Sequence, residues 1–525
     1  MRRSVSPGKL AIVVLTSFYG LLPASGQAAE ADPSTTVAER SQQESEDLDD
    51  LIGGFEDEDE DLGDDLLGGF EDDLGDRAVD ADETETASWM AALPFGDVLE
   101  ERVDVSGSLS MGAEYSYLDH SVPHGDDPTD STHWGGLTRL DLDGFLQLDV
   151  DLPHDWRARG EVLGWYDFAY HINGRGGYGN AVLDVYEWQV DTGEAYVSGP
   201  VHQNVSLTVG RKVVNWGRSD TFRVVDVVNP LDNKEPGLVD IEDLRRPLTM
   251  LKLDATKGPW SGQFLLIPEF RYDRNPPRGS DFFPDVPPPQ AALFTSPISG
   301  RSDFAEVPAI AAKADARFSG WDLSLYGGYV DESGRVLDRR GPPSPTGYRR
   351  EANRIGMLGA AGNVTRGAWL AKIEMAWLSD LRVLRVRPAD PVPLPFTVDN
   401  DRIDTMIGIE YYGRDDLTIA VEVVNRHLIQ ERGSDERQVV NRSRFESSIR
   451  ITRPFFRERM NVTALAIGFG ERLQNGGLFR FSTDWELTDA WKMEGGILIF
   501  IGGPDEGIGA FDSNDRLYAE LKYSF

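Results

Sequence analysis

The chain has 525 residues, no cysteine, and 89 Asp and Glu against 52 Lys and Arg, for a formal net charge of −37. Zero cysteine excludes disulfides, c-type haem attachment and thiolate metal sites, and the acidic balance argues against binding nucleic acid. No stretch reaches about 18 consecutive apolar residues, so no transmembrane helix is predicted.

The amino terminus reads as an export leader spanning 1–28. Arg2, Arg3 and Lys9 precede an apolar run from Leu10 to Leu22, and Gly26 and Ala28 are small residues spaced for cleavage after Ala28. No cysteine follows, so a lipid anchor is excluded. Residues 29–100 read as an acidic, mostly disordered periplasmic tail, with 21 Asp and Glu against one Arg between Glu44 and Glu85. The tail carries a repeat: Asp50-Leu51-Ile52-Gly53-Gly54-Phe55-Glu56-Asp57 recurs as Asp65-Leu66-Leu67-Gly68-Gly69-Phe70-Glu71-Asp72. Leu51, Ile52, Phe55, Leu66, Leu67 and Phe70 are apolar anchors in an acidic field, the pattern of docking peptides whose carboxylates steer toward a basic rim. A solvating spacer is the competing reading.

From residue 101 to 525 the chain reads as an all-β, closed antiparallel transmembrane barrel. Strands are predicted near 103–117, 137–152, 156–171, 184–198, 203–214, 248–256, 261–271, 307–319, 321–331, 351–365, 367–379, 402–413, 415–428, 439–453, 457–470, 477–487, 490–502 and 515–525. That is an even set of about 18, with 16 as the alternative. Leu142, Leu146, Leu148, Val150 and Leu152 face one way, and Asp141, Asp143, Gln147, Asp149 and Asp151 the other. A wall between hydrocarbon and water needs this division. The turns Pro153-His154-Asp155, Gly199-Pro200, Gly258-Pro259 and Gly413-Arg414 alternate with long connections, the turn-and-loop asymmetry of outer-membrane barrels. The last strand alternates through Leu521 and Tyr523 to Phe525. It resembles the terminal signal read by the barrel-assembly machinery, and implies that machinery and outer-membrane lipids as partners.

The connection 215–247 is the predicted functional element. It mixes apolar Val224, Val225, Val227, Val228, Leu238 and Ile241 with charges, which an exposed loop would not need. Folded into the lumen, Arg211, Arg218, Arg223, Arg245 and Arg246 would pair with Asp220, Asp226, Asp240 and Asp243, because buried charge demands partners. Lys212, Asn215, Trp216 and Asn229 complete the polar block, and Glu269 with Arg271 forms a further lumen pair. The element reads as a constriction or as a structural bracket.

The run from Val209-Gly210-Arg211 through Asn229-Pro230-Leu231-Asp232, together with Asp240–Arg245, Ile267–Asp273 and Pro276–Phe283, resembles a proteobacterial outer-membrane barrel family classed as a domain of unknown function. The resemblance implies companionship with resistance-nodulation-division-type transporters and lipoprotein-sorting-like proteins, and a role in moving hydrophobic compounds. Strand number is also similar to that of alginate-export porins, but the Asp-rich inner faces depart from their cationic conduit. The function expected is transport of hydrophobic or amphipathic molecules, with a periplasmic or inner-membrane transporter component docked on the tail. A general diffusion porin is the alternative and a surface enzyme the least favoured. His120, His124 and His133 share one loop with Asp119, Asp126 and Asp127, which reads as a solvated loop rather than a metal or catalytic site. No cofactor is expected. The prolines of 284–298 predict an extended extracellular loop.

Overall fold

The computed structural model describes residues 102–123, 131–283, 302–334, 337–339, 348–350, 353–386, 396–413, 416–429, 437–438, 442–503 and 508–525. The leader, the acidic tail with its repeat, His124 and the Pro-rich stretch 284–298 lie outside these residues.

Alternating apolar and polar residues form extended chain because every second side chain can then meet hydrocarbon while its neighbours meet water. The barrel strands are β1 (Val103–Pro123), β2 (Ser131–Leu152), β3 (Trp156–Asp167), β4 (Trp188–His202), β5 (Val205–Lys212), β6 (Leu248–Lys257), β7 (Trp260–Arg271), β8 (Ser302–Phe318) and β9 (Trp321–Glu332). They continue with β10 (Asn353–Arg366), β11 (Trp369–Val386), β12 (Phe396–Tyr412), β13 (Thr418–Leu428), β14 (Ser443–Phe455), β15 (Met460–Phe469), β16 (Gly477–Glu486), β17 (Trp491–Ile501) and β18 (Arg516–Ser524). Each pairs antiparallel with its sequence neighbours, and β1 also pairs with β18, with Leu109 opposite Tyr523. The ring is therefore closed at 18 strands, and the 16-strand alternative falls. A two-residue ladder, Arg437–Gln438, adds to β11.

The faces are inverted relative to a water-soluble protein. Ile373 and Met375 on β11 are exposed while the alternating Lys372 and Glu374 are buried; Val421 and Val423 on β13 flank buried Glu422. Exterior apolar residues recur on strand after strand, from Leu109 and Met111 to Leu517 and Leu521. At the end carrying the short turns, aromatic pairs line the rim: Phe318 stacks on Trp321 with ring centroids 4.5 Å apart, Trp369 meets Tyr411 at 4.7 Å, and Trp491 meets Tyr523 at 5.1 Å. Amphipathic rings belong where hydrocarbon meets headgroups.

Three elements differ from the sequence expectation. Strands β1 and β2 run on to Pro123 and back from Ser131, because their ladder resumes at His120↔Trp134 after a bulge. Gly199-Pro200 lies inside β4, where Pro200 pairs with Ser206, and the turn falls at Gln203-Asn204. The predicted strand 156–171 stops at Asp167. Its carboxylate accepts the Leu140 and Ala169 N–H groups at 3.0 and 2.8 Å, the latter at the start of α1 (Ala169–Ile172), and a second short helix, α2 (Asn180–Tyr186), follows Gly179. Their apolar faces join Trp134, with Tyr170 packed edge-on against Tyr178 at 4.8 Å. An aspartate that satisfies an N–H at a helix start ends a strand there.

Candidate functional site

After Lys212 the chain leaves the wall, and it does not rejoin it until Leu248. Residues 213–247 cross the lumen. Val214, Trp216, Phe222, Val224, Val225 and Val228 pack against inward residues of β6 to β13, among them Met250, Leu265, Tyr326, Met357 and Met406. The approach at β10 is close enough that a Cβ at Gly359 would lie 2.8 Å from Val225. Trp216 Nε1 donates to Gln263 Oε1 at 2.7 Å, and its ring centroid lies 5.5 Å from that of Tyr326.

Two wall carboxylates hold the middle of this segment. Glu374 of β11 accepts the backbone N–H groups of Arg218, Ser219 (2.8 Å) and Val225 (3.4 Å). Gly217, at φ 111°, makes the turn that presents them, a conformation costly for a residue with a Cβ. Glu422 of β13 accepts the Ser219 hydroxyl at 2.7 Å and the Asp220 and Thr221 N–H groups at 2.9 and 3.2 Å. Charge-assisted bonds of this kind are about twice as strong as neutral ones.

The predicted network is present but wired differently. Arg223 and Arg245 both pair with Asp226 inside the segment, at 3.0 and 2.9 Å. The other charges reach the wall: Arg218 pairs with Asp322 of β9 at 2.6 Å, and Asp220 with Lys372 of β11 at 3.0 Å. Asp240 pairs with Arg450 of β14 at 3.1 Å and with Arg480 of β16. Burial alone would raise the Asp240 carboxyl, but Arg450 and Arg480 outweigh it and hold it below the usual carboxylate range. Arg480 also donates to the carbonyls of Gly237 and Leu238 at 3.2 and 2.9 Å. Asn229, fully buried, ties the segment's two ends together: its Oδ1 accepts the Val214 N–H at 2.9 Å and its Nδ2 donates to the Arg246 carbonyl at 2.8 Å.

Lys212 pairs with Glu194 at 3.1 Å and lies over the Tyr196 ring. Arg211 is not brought into the network. It alternates with Lys212 on the face of exposed Val209, and donates to Thr192 Oγ1 at 2.5 Å. Asn215 and Asp243 are exposed. Glu269 and Arg271 pair at 3.1 Å, and Arg246 is buried. Of the three loop histidines, His120 contacts Asp281 at 3.0 Å and exposed His133 lies 3.8 Å from Asp119.

Sequence reasoning missed the wall half of the site: Asp322, Lys372, Glu374, Glu422, Arg450 and Arg480. It also missed a second lumen anchor, where Arg516 of β18 holds Asp281 at 2.8 Å and Glu114 of β1 at 2.9 Å. The signal available was a run of inward charges too large for a merely wet face, on strands otherwise regular.

The sequence profile of a family described as a protein of unknown function (DUF1302) matches residues 76–525. No curated protein matches the chain. Among solved structures, the chain is similar to OccAB1 of Acinetobacter baumannii, at 10% identity and a TM-score of 0.45, covering 81% of this chain and 96% of that one. It is also similar to OccK2 (OpdF) of Pseudomonas aeruginosa, solved with glucuronate, at 8% identity and a TM-score of 0.44 over 81% and 96%. A third similarity is to OmpF of Salmonella typhi, solved with daunomycin, at 9% identity and a TM-score of 0.38 over 81% and 97%.

Proposed function

The chain belongs to the DUF1302 family, and we propose that its barrel is an outer-membrane channel whose lumen is constricted by residues 213–247. The observation that carries this reading is the fastening of that segment to the far wall through Glu374 and Glu422, which together accept five of its backbone N–H groups and the Ser219 hydroxyl. A bracket that only stiffened the barrel could hug one wall. This one reaches from Gln263 on β7 to Arg480 on β16, nine strands further round the ring. The cargo is hydrophobic or amphipathic, the class that the resemblance of the 209–283 motifs implies; Trp216, Phe222 and the segment's valines are buried against the wall and leave its charged residues to line the path. The acidic tail engages a periplasmic or inner-membrane transporter component through its two Leu/Ile-Gly-Gly-Phe anchors.

Single-channel recording in planar bilayers tests the constriction. Small or absent current in the wild-type protein, becoming large and steady when residues 218–228 are deleted, is expected. Large steady current in the wild type would favour the general diffusion porin instead.

A further inference from the structure

The barrel wall is incomplete between β4 and β7. Strand β5 has 8 residues and β6 has 10, and both end where the chain turns into the lumen. Strand β4 pairs with β5 only from Ala195↔Arg211 onward, so its residues 188–192 are laddered on the β3 side alone and 193–194 on neither. On the other flank the β6–β7 ladder ends at Leu251↔Leu266, leaving 267–271 of β7 paired only with β8. Pro268 has no N–H to offer, and opposite it β8 skips from Ala309 to Phe304. The unpaired edge of β4 is roughly 20 Å long at the usual rise per residue. It carries two of the most exposed apolar side chains of the wall, Trp188 at 61% and Val190 at 66%.

Side chains, not backbone, bridge this notch. Arg274 joins Asp191 of β4 at 3.0 Å and Asp232 of the lumen segment at 2.9 Å. Glu269 accepts the Thr249 N–H at 2.7 Å, and Arg271 donates to the Pro247 carbonyl at 3.3 Å, where ladder bonds would otherwise run. Next to Arg271 lies a cavity of about 10 Å³, lined by apolar Val228, Leu248, Ile267, Phe270 and Val330 and also by Glu269 and Asp331. Beside Arg271 and Arg274 is Arg246. It is 5% exposed and donates to the Tyr272 carbonyl at 3.2 Å; among the described residues its Nη2 has no hydrogen-bond partner and no carboxylate is in ion-pair contact with it, Asp232 and Asp191 acting from further off. Burial together with the neighbouring Arg274 and Arg271 pushes it down to about 10. A buried guanidinium with an open donor, at a notch whose outer lip is apolar, is the complement of an anionic headgroup on an apolar chain.

We propose that the notch between β4 and β7 is a lateral portal to the bilayer, and that Arg246 binds the anionic headgroup of an amphiphile passing through it. Trp188 and Val190 form the lip that meets the hydrocarbon chain, and the Asp191–Arg274–Asp232 bridge with Val228 closes the portal at rest. This inference rests on the transport reading above for the class of cargo.

The test uses the full-length protein in detergent and a fluorescently labelled dodecanoate. Saturable binding is expected, unaffected by excess acetate and weakened at least tenfold by Arg246→Gln, while Arg246→Lys stays within a few-fold of wild type. Competition by phosphatidylglycerol would assign the headgroup to a membrane phospholipid; its absence would assign it to a single-chain carboxylate. Because the chain has no cysteine, Asp191→Cys/Arg274→Cys can be joined specifically by a short bifunctional thiol reagent. Bridging should slow dodecanoate association at least tenfold, reversibly on reduction, and this arm stands even if Arg246→Gln fails to assemble. Equal binding by Arg246→Gln, or association untouched by the bridge, overturns the proposal. A barrel that conducts once residues 218–228 are deleted but binds no amphiphile refutes the portal alone, whereas one that binds but stays closed after that deletion refutes the axial channel alone.

Discussion

Replacing both Glu374 and Glu422 with alanine should free the lumen segment while leaving the barrel closed. The two carboxylates accept five backbone N–H groups and one hydroxyl from residues 218–225. Bonds to charged groups contribute about 1.5–3 kcal/mol each. Water entering the emptied site would satisfy most of the released donors, so only part of that sum is lost. A net shift of about 3–5 kcal/mol toward the detached segment follows, a factor of roughly 10²–10⁴ in its population. The ladders on both sides of β11 and β13 use backbone groups the substitutions do not touch. Hydrogen exchange read by mass spectrometry should therefore show the 218–225 amides exchanging at least 100-fold faster, with β11 and β13 amides unchanged, and bilayer recordings should show frequent openings. Unaltered protection of 218–225 in a folded double variant would mean that the apolar packing of Val225 and Phe222 fastens the segment, and that the carboxylates are incidental.

Three further outcomes are expected. Asp240 sits below its unfolded value, so its contribution is fully present above about pH 4 and is lost only as pH falls through the lower folded value; hydrogen exchange at the amides of 237–240 should keep its neutral-pH protection down to about pH 4, and loss of that protection near pH 6 would mean that Asp240 does not hold this end of the segment. A Cβ at Gly107 would lie 2.7 Å from the Phe145 carbonyl and 2.8 Å from the Phe525 ring, so Gly107→Val should cost about 1–3 kcal/mol and lower the yield of closed barrel, read by heat-dependent gel mobility. Deleting residues 44–76 should leave that mobility intact but abolish co-purification of a transporter component from solubilised envelopes; undiminished co-purification would remove the docking role of the repeats.

The barrel was legible because its solvent changes from hydrocarbon to water across one side chain, which stamps a period of two on almost every strand. The 213–247 segment was legible for a related reason: Val224, Val225, Val227 and Val228 have no place in a loop bathed in water. What the segment touches was not legible. Glu374 and Glu422 look like any inward carboxylate of a wet pore, and their partners lie roughly 150 to 200 residues earlier in the chain. Pairing the segment's arginines with its own aspartates satisfied charge balance but ignored that Lys372, Arg450 and Arg480 wait on the wall. The helical insertion at 168–187 was hidden because its apolar residues continue a plausible strand, and only the Asp167 carboxylate interrupts it.

The anchors of the lumen segment also order events during biogenesis. Arg480 lies 242 residues beyond the Leu238 carbonyl it grips, so the segment emerges long before the strands that receive it exist. Closing so long a stretch of chain is entropically slow, and the contacts give nothing back until the late strands are in place. The contacts to Gln263 and Asp322 can form before those to Glu374, Glu422 and Arg480, so the segment is fastened progressively from its early side to its late one.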